Sequence, residues 1–416
     1  MIGTGVFTSL GFQLLDIQSG FPLMMLWAVG GVTALCGALT YAELGTTLPR
    51  SGGEYNFLSE IYHPAAGFIS GWISATIGFA APTALAAITF GRYLSSVFPA
   101  INASLAACLL VIVLTTVHTS THQNSGELQR AFTVLKVIVI AAFCGAALFA
   151  VDKAQPVSFL PAANDQKLVF SGAFAVSLIY VNYAYTGWNA ATYITGEIDA
   201  PQQNLPIVLT LGTAVVLVLY LLLNFTFLYV APIDAMKGKV EIGYIAAEYA
   251  FGPGGARIMG IILSALLIST VSAMTIAGPR VLQVIGQDFP VLRLLARTNK
   301  DGLPVVAIAT QSLLAIAFIL TSTFQSILVF SGFTLAVNTL FAVAGIFVLR
   351  RREPERRRPY KALLYPLTPL VYLLLTGWTL VYILVQRPAE ALSGLGLIAS
   401  GGIVYLISVK LGSLDA

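Results

Sequence analysis

Apolar runs of membrane-spanning length recur along almost the whole chain, and that recurrence limits the fold more than any other feature. A bilayer core takes a helix of about 20 apolar residues. By that measure the sequence has a short apolar start near 1–15 and further segments near 22–47, 65–92, 102–120, 128–151, 171–198, 206–231, 256–280, 304–322, 326–349, 363–386 and 391–409. The runs are too long and too continuous for the alternating strands of about 10 residues that build a membrane barrel. The expectation is an all-α polytopic membrane protein with twelve transmembrane helices, the first of them truncated. Charge agrees with this. Asp, Glu, Lys and Arg make up 10% of the chain, against about 25% in a soluble domain, so a water-facing surface could not be covered. The start falls inside an apolar motif. Met1 is therefore expected to be an internal methionine, with roughly twenty to forty residues before it in the natural protein, enough to complete a span. A truncated, inactive chain is the alternative.

Lysine and arginine placement sets the orientation. With the N-terminus in the cytoplasm, fourteen of the 22 fall in cytoplasmic segments, seven fall outside, and Lys136 lies within a span. The bias puts both termini inside, as a multi-pass protein of the plasma membrane. The basic run 350–361 dominates the count and reads as a topology anchor, with a lipid or partner site as the other reading. It also divides the chain into a core 1–349, a basic cytoplasmic loop 350–361 and two C-terminal helices over 362–410. Two connections, 50–64 and 232–254, read as interfacial or cavity-capping helices, the second with a helix-like piece at 242–251.

Nothing in the sequence resembles an enzyme site. Cys36, Cys108 and Cys144 lie in apolar runs, and His63, His118 and His122 are scattered without ligand spacing. No cofactor, metal or nucleic acid is implied, and no oligomeric state is assigned. The informative features are interruptions of helices. The first span contains Ile2-Gly3-Thr4-Gly5-Val6-Phe7, and the sixth contains Tyr183-Ala184-Tyr185-Thr186-Gly187-Trp188-Asn189. Glycine lets a backbone leave helical geometry and approach a ligand closely. Unwound backbone inside a membrane is tolerated where it lines a cavity. It offers N–H groups and a half-helix N-terminus to a carboxylate, and free carbonyls to an ammonium. An α-amino acid carries both groups. For either break alone, close helix packing is an equal alternative. The breaks lie five spans apart, which matches a five-plus-five inverted repeat (1–151 and 171–349) with substrate between its first helices.

The chain resembles the amino acid–polyamine–organocation superfamily, nearest to its L-type amino acid transporter branch. The resemblance covers essentially the whole chain. Its strongest piece is Tyr185-x-Gly187-Trp188-Asn189 followed by Glu197-Ile198-x-x-Pro201-x-x-Asn204-Leu205-Pro206. Supporting pieces are Gly3-Thr4-Gly5-Val6-Phe7, Tyr41-Ala42-Glu43-Leu44, Pro49-Arg50-Ser51-Gly52-Gly53-Glu54-Tyr55, and Gly278-Pro279-Arg280 at the cytoplasmic end of the eighth span. The resemblance implies alternating-access transport of an amino acid. Amides around Thr4 and Gly5 would take the carboxylate. Carbonyls near Ile2 and from Tyr183, Ala184, Tyr185 and Thr186 would take the amino group. Gly187 and Asn189 complete the expected substrate site. Thr186 stands where many relatives have Gly or Ser. Tyr183 stands where relatives often place a covering Phe, and an ordinary packed aromatic is the other reading.

Lys136 is the one basic residue deep in a span, where a cation costs about 2.5–3.5 kcal/mol on insertion scales. Its partners are expected to be carbonyls, hydroxyls or water. The resemblance places it between the first, fifth and eighth spans, where sodium-coupled relatives hold a cation, with Ser269 or Ser272 as neighbours. The competing reading is a lysine that snorkels to the interface. Glu43 reads as a structural helix-end carboxylate rather than a proton carrier. The small, apolar stretch 75–82 of the third span is expected to face the pocket and leans toward neutral L-amino acids. Sodium-independent exchange and proton-coupled uptake both fit, so protons are a candidate partner beside the amino acid and the bilayer. A polyamine or cationic amino acid permease, a channel, and a non-transporting membrane sensor are the alternatives.

Overall fold

A computed structural model describes residues 2–120 and 125–412, so His122 and Met1 lie outside the described residues. The chain runs through α1 (Gly5–Gln13), α2 (Gly20–Thr47), α3 (Pro64–Val97), α4 (Ala103–Ser120), α5 (Ser125–Ala150) and α6 (Gly172–Tyr185). It continues through α7 (Pro201–Val230), α8 (Ile242–Asp288), α9 (Val305–Thr321), α10 (Phe324–Arg352), α11 (Leu367–Gln386) and α12 (Pro388–Gly412). No strand occurs among the described residues. Nine of these helices are long and apolar enough to cross a membrane. The others are α1, α6 and α9.

The packing forms two groups. α2 lies against α7, α6 and α11, while α3 lies against α8, α4 and α9, and α1 packs on α6. Aromatic rings fill the centre of the first group. Trp27 meets Tyr220 edge-on at 5.7 Å, Tyr185 lies 4.9 Å from Tyr220, and the Trp27 indole donates to Gln13 at 3.1 Å. α12 and α5 are the most lipid-facing, with large exposed side chains such as Leu406 and Ile138.

The structure refines three parts of the sequence reading. α8 joins the piece 242–251 to the membrane helix through a kink at Gly252 (φ 71°) and runs on to Asp288. Gly278-Pro279-Arg280 therefore lies inside a helix rather than at its end. Pro279 removes one ladder hydrogen bond, and packing of Leu282 and Ile285 with Tyr55, Ala75 and Ala307 carries the helix past it. α3 contains a π-helical turn at Ser74–Gly78, within the stretch expected to face the pocket. Such turns often sit at functional sites. The loop 50–64 forms the helix Glu54–Ile61, whose Glu54, Tyr55, Asn56, Phe57, Leu58 and Ile61 are all buried. It caps the bundle from within. The segment 232–254 caps the opposite end, where Gly238 N–H donates to the Gly11 carbonyl at 2.7 Å.

The end of the bundle that carries the arginines of 350–358, the basic end, is locked by one buried carboxylate. Glu43, 1% exposed, accepts from Arg350 Nε at 2.8 Å and Nη2 at 2.6 Å, and from the Ala362 amide at 2.6 Å. Arg358 approaches it at 3.7 Å, and the Arg350 guanidinium also lies 3.6 Å over the Tyr365 ring. Arg352 donates to the Ile61 carbonyl at 2.8 Å. Half of the basic run thus fixes α2, α10 and the inner helix together, which agrees with the structural reading of Glu43. Removing one partner of a buried ion pair leaves the other uncompensated. Arg350→Ala is expected to cost about 3–5 kcal/mol, read as a lower unfolding midpoint in detergent. An unchanged midpoint would show that the pair carries no load.

Candidate functional site

Helix ends leave backbone groups without intrahelical partners, and two such ends meet in the middle of the bundle. α1 starts at Gly5, and the amides of Gly5 and Val6 have no acceptor among the described residues, whereas Phe7 N–H reaches the Thr4 carbonyl at 3.0 Å. α6 stops at Tyr185. Thr186 turns to an extended conformation (φ −51°, ψ 141°), and Gly187 takes φ 98°, a region that strains any residue with a Cβ. Past this break a 3₁₀ turn, Ala190–Glu197, leads to α7.

The carbonyl of Asn182 accepts from Thr186 Oγ1 at 3.3 Å and that of Tyr183 from the Thr186 amide at 2.9 Å. No donor is bonded to the carbonyls of Tyr185 and Thr186 among the described residues. The ends are adjacent because α1 crosses α6 at Gly5. A Cβ there would lie 2.4 Å from Ala184 Cα. Ser9 Oγ holds the crossing by donating to the Tyr180 carbonyl at 3.2 Å. The amide end of one half-helix therefore stands beside the carbonyl end of another.

The structure sorts the expected site residues. The backbones of Gly3, Thr4, Gly5, Ala184, Thr186 and Gly187 are at the breaks, and Ile2 packs half-buried against the core. Tyr183 is buried, and among the described residues its hydroxyl has no hydrogen-bond partner. The side chains of Tyr185 and Asn189 turn away. The Tyr185 hydroxyl donates to the Trp27 carbonyl at 3.1 Å, and Asn189 Nδ2 donates to Glu54 Oε1. Their side-chain donors are thus engaged within the protein. Tyr220 went unnoticed in the sequence. From α7 its hydroxyl donates to the Ala184 carbonyl at 3.1 Å and shares a hydrogen bond with the Gly3 backbone, touching both breaks at once. A lone tyrosine within Val-Leu-Tyr-Leu-Leu-Leu was the available signal.

Lys136 is 9% exposed and donates to Thr270 Oγ1 at 2.8 Å, so it does not snorkel. Neither serine expected beside it is its partner. Ser269 Oγ is buried without a hydrogen bond, and Ser272 Oγ pairs with His118 Nε2 at 2.9 Å. Each residue turns about 100° round a helix, which brings Thr270 rather than its neighbours to face α5. The ammonium links α5 to α8 and makes no hydrogen bond to α1 among the described residues.

At the basic end, the segment after α2 is tied to the end of α8. Arg50 reaches Asp288 at 3.4 Å, and the Tyr55 hydroxyl donates to the same carboxylate. Burial, with the Asp288 carboxylate beside it, pushes the Tyr55 phenol above its ordinary range. Arg280 and Glu197 add a pair at 3.5 Å, but both side chains are mostly exposed, and such pairs contribute little.

A polytopic helical membrane protein organised round two broken helices, with complementary backbone ends side by side, is the class that this arrangement defines. The amino acid permease family model matches residues 1–406, and the chain belongs to that family. It is 26% identical over 419 residues to the b(0,+)-type amino acid transporter 1 of Mus musculus, covering 98% of this chain and 85% of the mouse protein. It is 29% identical over 434 residues to the large neutral amino acids transporter small subunit 2 of Oryctolagus cuniculus, covering 98% of this chain and 78% of the rabbit protein.

Gly5 tests the crossing. Gly5→Ala places a methyl group against the Ala184 backbone, which has nowhere to go. The variant is expected to reach the membrane fraction and to lose substrate uptake by roughly tenfold or more, since misplaced groups forfeit a large part of binding. Uptake equal to wild type would separate the crossing from function.

Proposed function

We propose that this protein is a secondary transporter that moves neutral L-amino acids across the plasma membrane by alternating access, with its basic end and both termini in the cytoplasm. One observation carries the reading. Gly5 packs against Ala184, so the α1 end, where the amides of Gly5 and Val6 have no acceptor among the described residues, lies close to the α6 end, where the carbonyls of Tyr185 and Thr186 have no donor among them. A helix N-terminus favours an anion, and unpaired carbonyls favour an ammonium. The pair is complementary to the one part that all α-amino acids share. Main-chain groups do not read the side chain, so many amino acids fit such a site.

The preference for neutral side chains rests on the acidic inventory. Glu43, Glu54 and Asp165 are the buried acids among the described residues, and each is hydrogen-bonded within the protein. Glu43 is matched by arginines, and neither Glu54 nor Asp165 is hydrogen-bonded to residues 2–7 or 183–187, which form the breaks. Lys136 supplies the positive charge that a bound sodium ion would supply elsewhere, which favours sodium-independent exchange or proton-coupled uptake. The spacing of the breaks supports a five-plus-five organisation of 1–151 and 171–349, with α11 and α12 outside it.

Two tests follow in proteoliposomes. Amino acid amides and N-acetyl amino acids each lack one of the two charges, and are expected to compete roughly 10- to 100-fold less well, the scale set by loss of a charge-assisted bond. Competition equal to the parent amino acids would refute the site. Replacing sodium by choline is expected to leave uptake unchanged. Lys136→Ala should depress it, and Lys136→Arg should not restore it fully, because a planar fork cannot replace a compact ammonium. Sodium-stimulated wild-type uptake, or unaltered kinetics in Lys136→Ala, would contradict the role given to the lysine.

A further inference from the structure

Glu54 is the second fully buried glutamate at the basic end, and its surroundings are the opposite of those of Glu43. It is 1% exposed. No Lys, Arg or His forms an ion pair with it among the described residues. Its Oε1 accepts from the Tyr41 hydroxyl at 3.0 Å and from Asn189 Nδ2, and the Tyr193 hydroxyl also lies against the carboxylate. A buried acid without a cation is costly, and an ordinary packing position would hold an apolar side chain there instead. The same short segment makes further links to the same target. Gly52 and Gly53 amides donate to the carbonyls of Tyr193 and Thr192, both at 3.2 Å, and Ser51 Oγ accepts from the Gly196 amide at 2.9 Å. The loop after α2 is thus laced along the 3₁₀ turn that follows the α6 break. Glu54 grips it at Asn189, two residues past Gly187.

We propose that Glu54 is a positioning residue for transport: through Asn189 it fixes the chain just beyond the α6 break, and so sets where the carbonyls of Tyr185 and Thr186 point. The proposal rests on the reading of those carbonyls as substrate ligands. Gly187 is the hinge at which an unheld chain would rotate, since φ 98° lies in a region that glycine leaves freely. Trp188 packs against Tyr41 and Tyr372, and Asn189 Nδ2 makes the first side-chain hydrogen bond after the hinge, with Glu54 Oε1 as acceptor. On the far side, Tyr41 keeps the carboxyl in register with α2. The glutamate acts by geometry, as an acceptor at a fixed place, so the charge itself is dispensable.

The test compares Glu54→Gln, Glu54→Ala and Asn189→Ala as full-length protein in proteoliposomes, with KM and kcat measured separately and monodispersity checked in detergent. Glutamine keeps an acceptor at the place of Oε1 and is expected to hold KM within about twofold of wild type, whereas alanine unpairs buried groups and should raise KM roughly tenfold. Asn189→Ala should match Glu54→Ala, and the double variant should be no worse than either single one, because the two act through one contact. Should Glu54→Ala fail to insert, Asn189→Ala against Glu54→Gln decides alone. Glutamine and alanine equally impaired, additive losses in the double variant, or a changed melting temperature with unchanged KM would each overturn the proposal. The wild-type competition by amides and N-acetyl derivatives is a separate readout. Its failure removes the carbonyls as ligands, while the comparison of variants still reports whether Glu54 acts on KM.

Discussion

Inside a bilayer no water is at hand for a backbone group that loses its partner, and an unsatisfied amide or carbonyl costs several kcal/mol. The rest of this structure depends on how it meets that constraint at two places where a helix ends in mid-membrane. α1 and α6 are brought so close at Gly5 and Ala184 that each shields the other's end. Part of the exposed backbone is then satisfied locally, by Thr186 on α6 and by Tyr220 reaching across from α7. What remains unpaired is a small set with opposite polarity on its two sides. In the proposed function that remainder is what receives the amino acid. A fold that satisfied every group would have nothing left with which to recognise a zwitterion.

The supports of the breaks are more elaborate than the breaks themselves. Glu43 is saturated by two arginines and an amide and holds α2 to α10 and the loop beyond it. Glu54, equally buried, is met by the phenols of Tyr41 and Tyr193 and the amide of Asn189, with no cation paired to it among the described residues. The first arrangement suits a joint that must not move, because breaking it strands a charge. The second can be remade at lower cost, since no cation is separated. A conformational change that rocks the α3–α8 group against the α2–α7 group would keep Glu43 intact and work on the links near Glu54, Tyr55 and Asp288.

Much of this was legible in the sequence because the solvent is lipid. Hydropathy placed most spans to within about five residues, while the sixth helix stops at Tyr185 and the eighth runs from Ile242 to Asp288, and glycines inside apolar runs stand at both helix ends. The continuation of α8 past Pro279 was not legible, for a proline usually signals an end, and tertiary packing of Leu282 and Ile285 overrode it. The partner of Lys136 was missed by one position, because a one-residue difference rotates a side chain by about 100° on a helix and composition does not reveal the rotation. The side-chain contacts of Tyr185 with Trp27 and of Asn189 with Glu54 join residues far apart in the chain, and no local pattern announces them. Glu54 stood in a quoted motif but in a polar loop, and nothing local shows that a loop folds inward.

The central claim is that main-chain groups of two half-helices bind the amino acid. Its most direct measurement is a cryo-electron microscopy map of the protein with a saturating neutral L-amino acid. Ligand density is expected with its carboxylate on the amides of Gly5 and Val6 and its amino group on the carbonyls of Tyr185 and Thr186. Density elsewhere in the bundle, with those four groups bonded to protein instead, would contradict it.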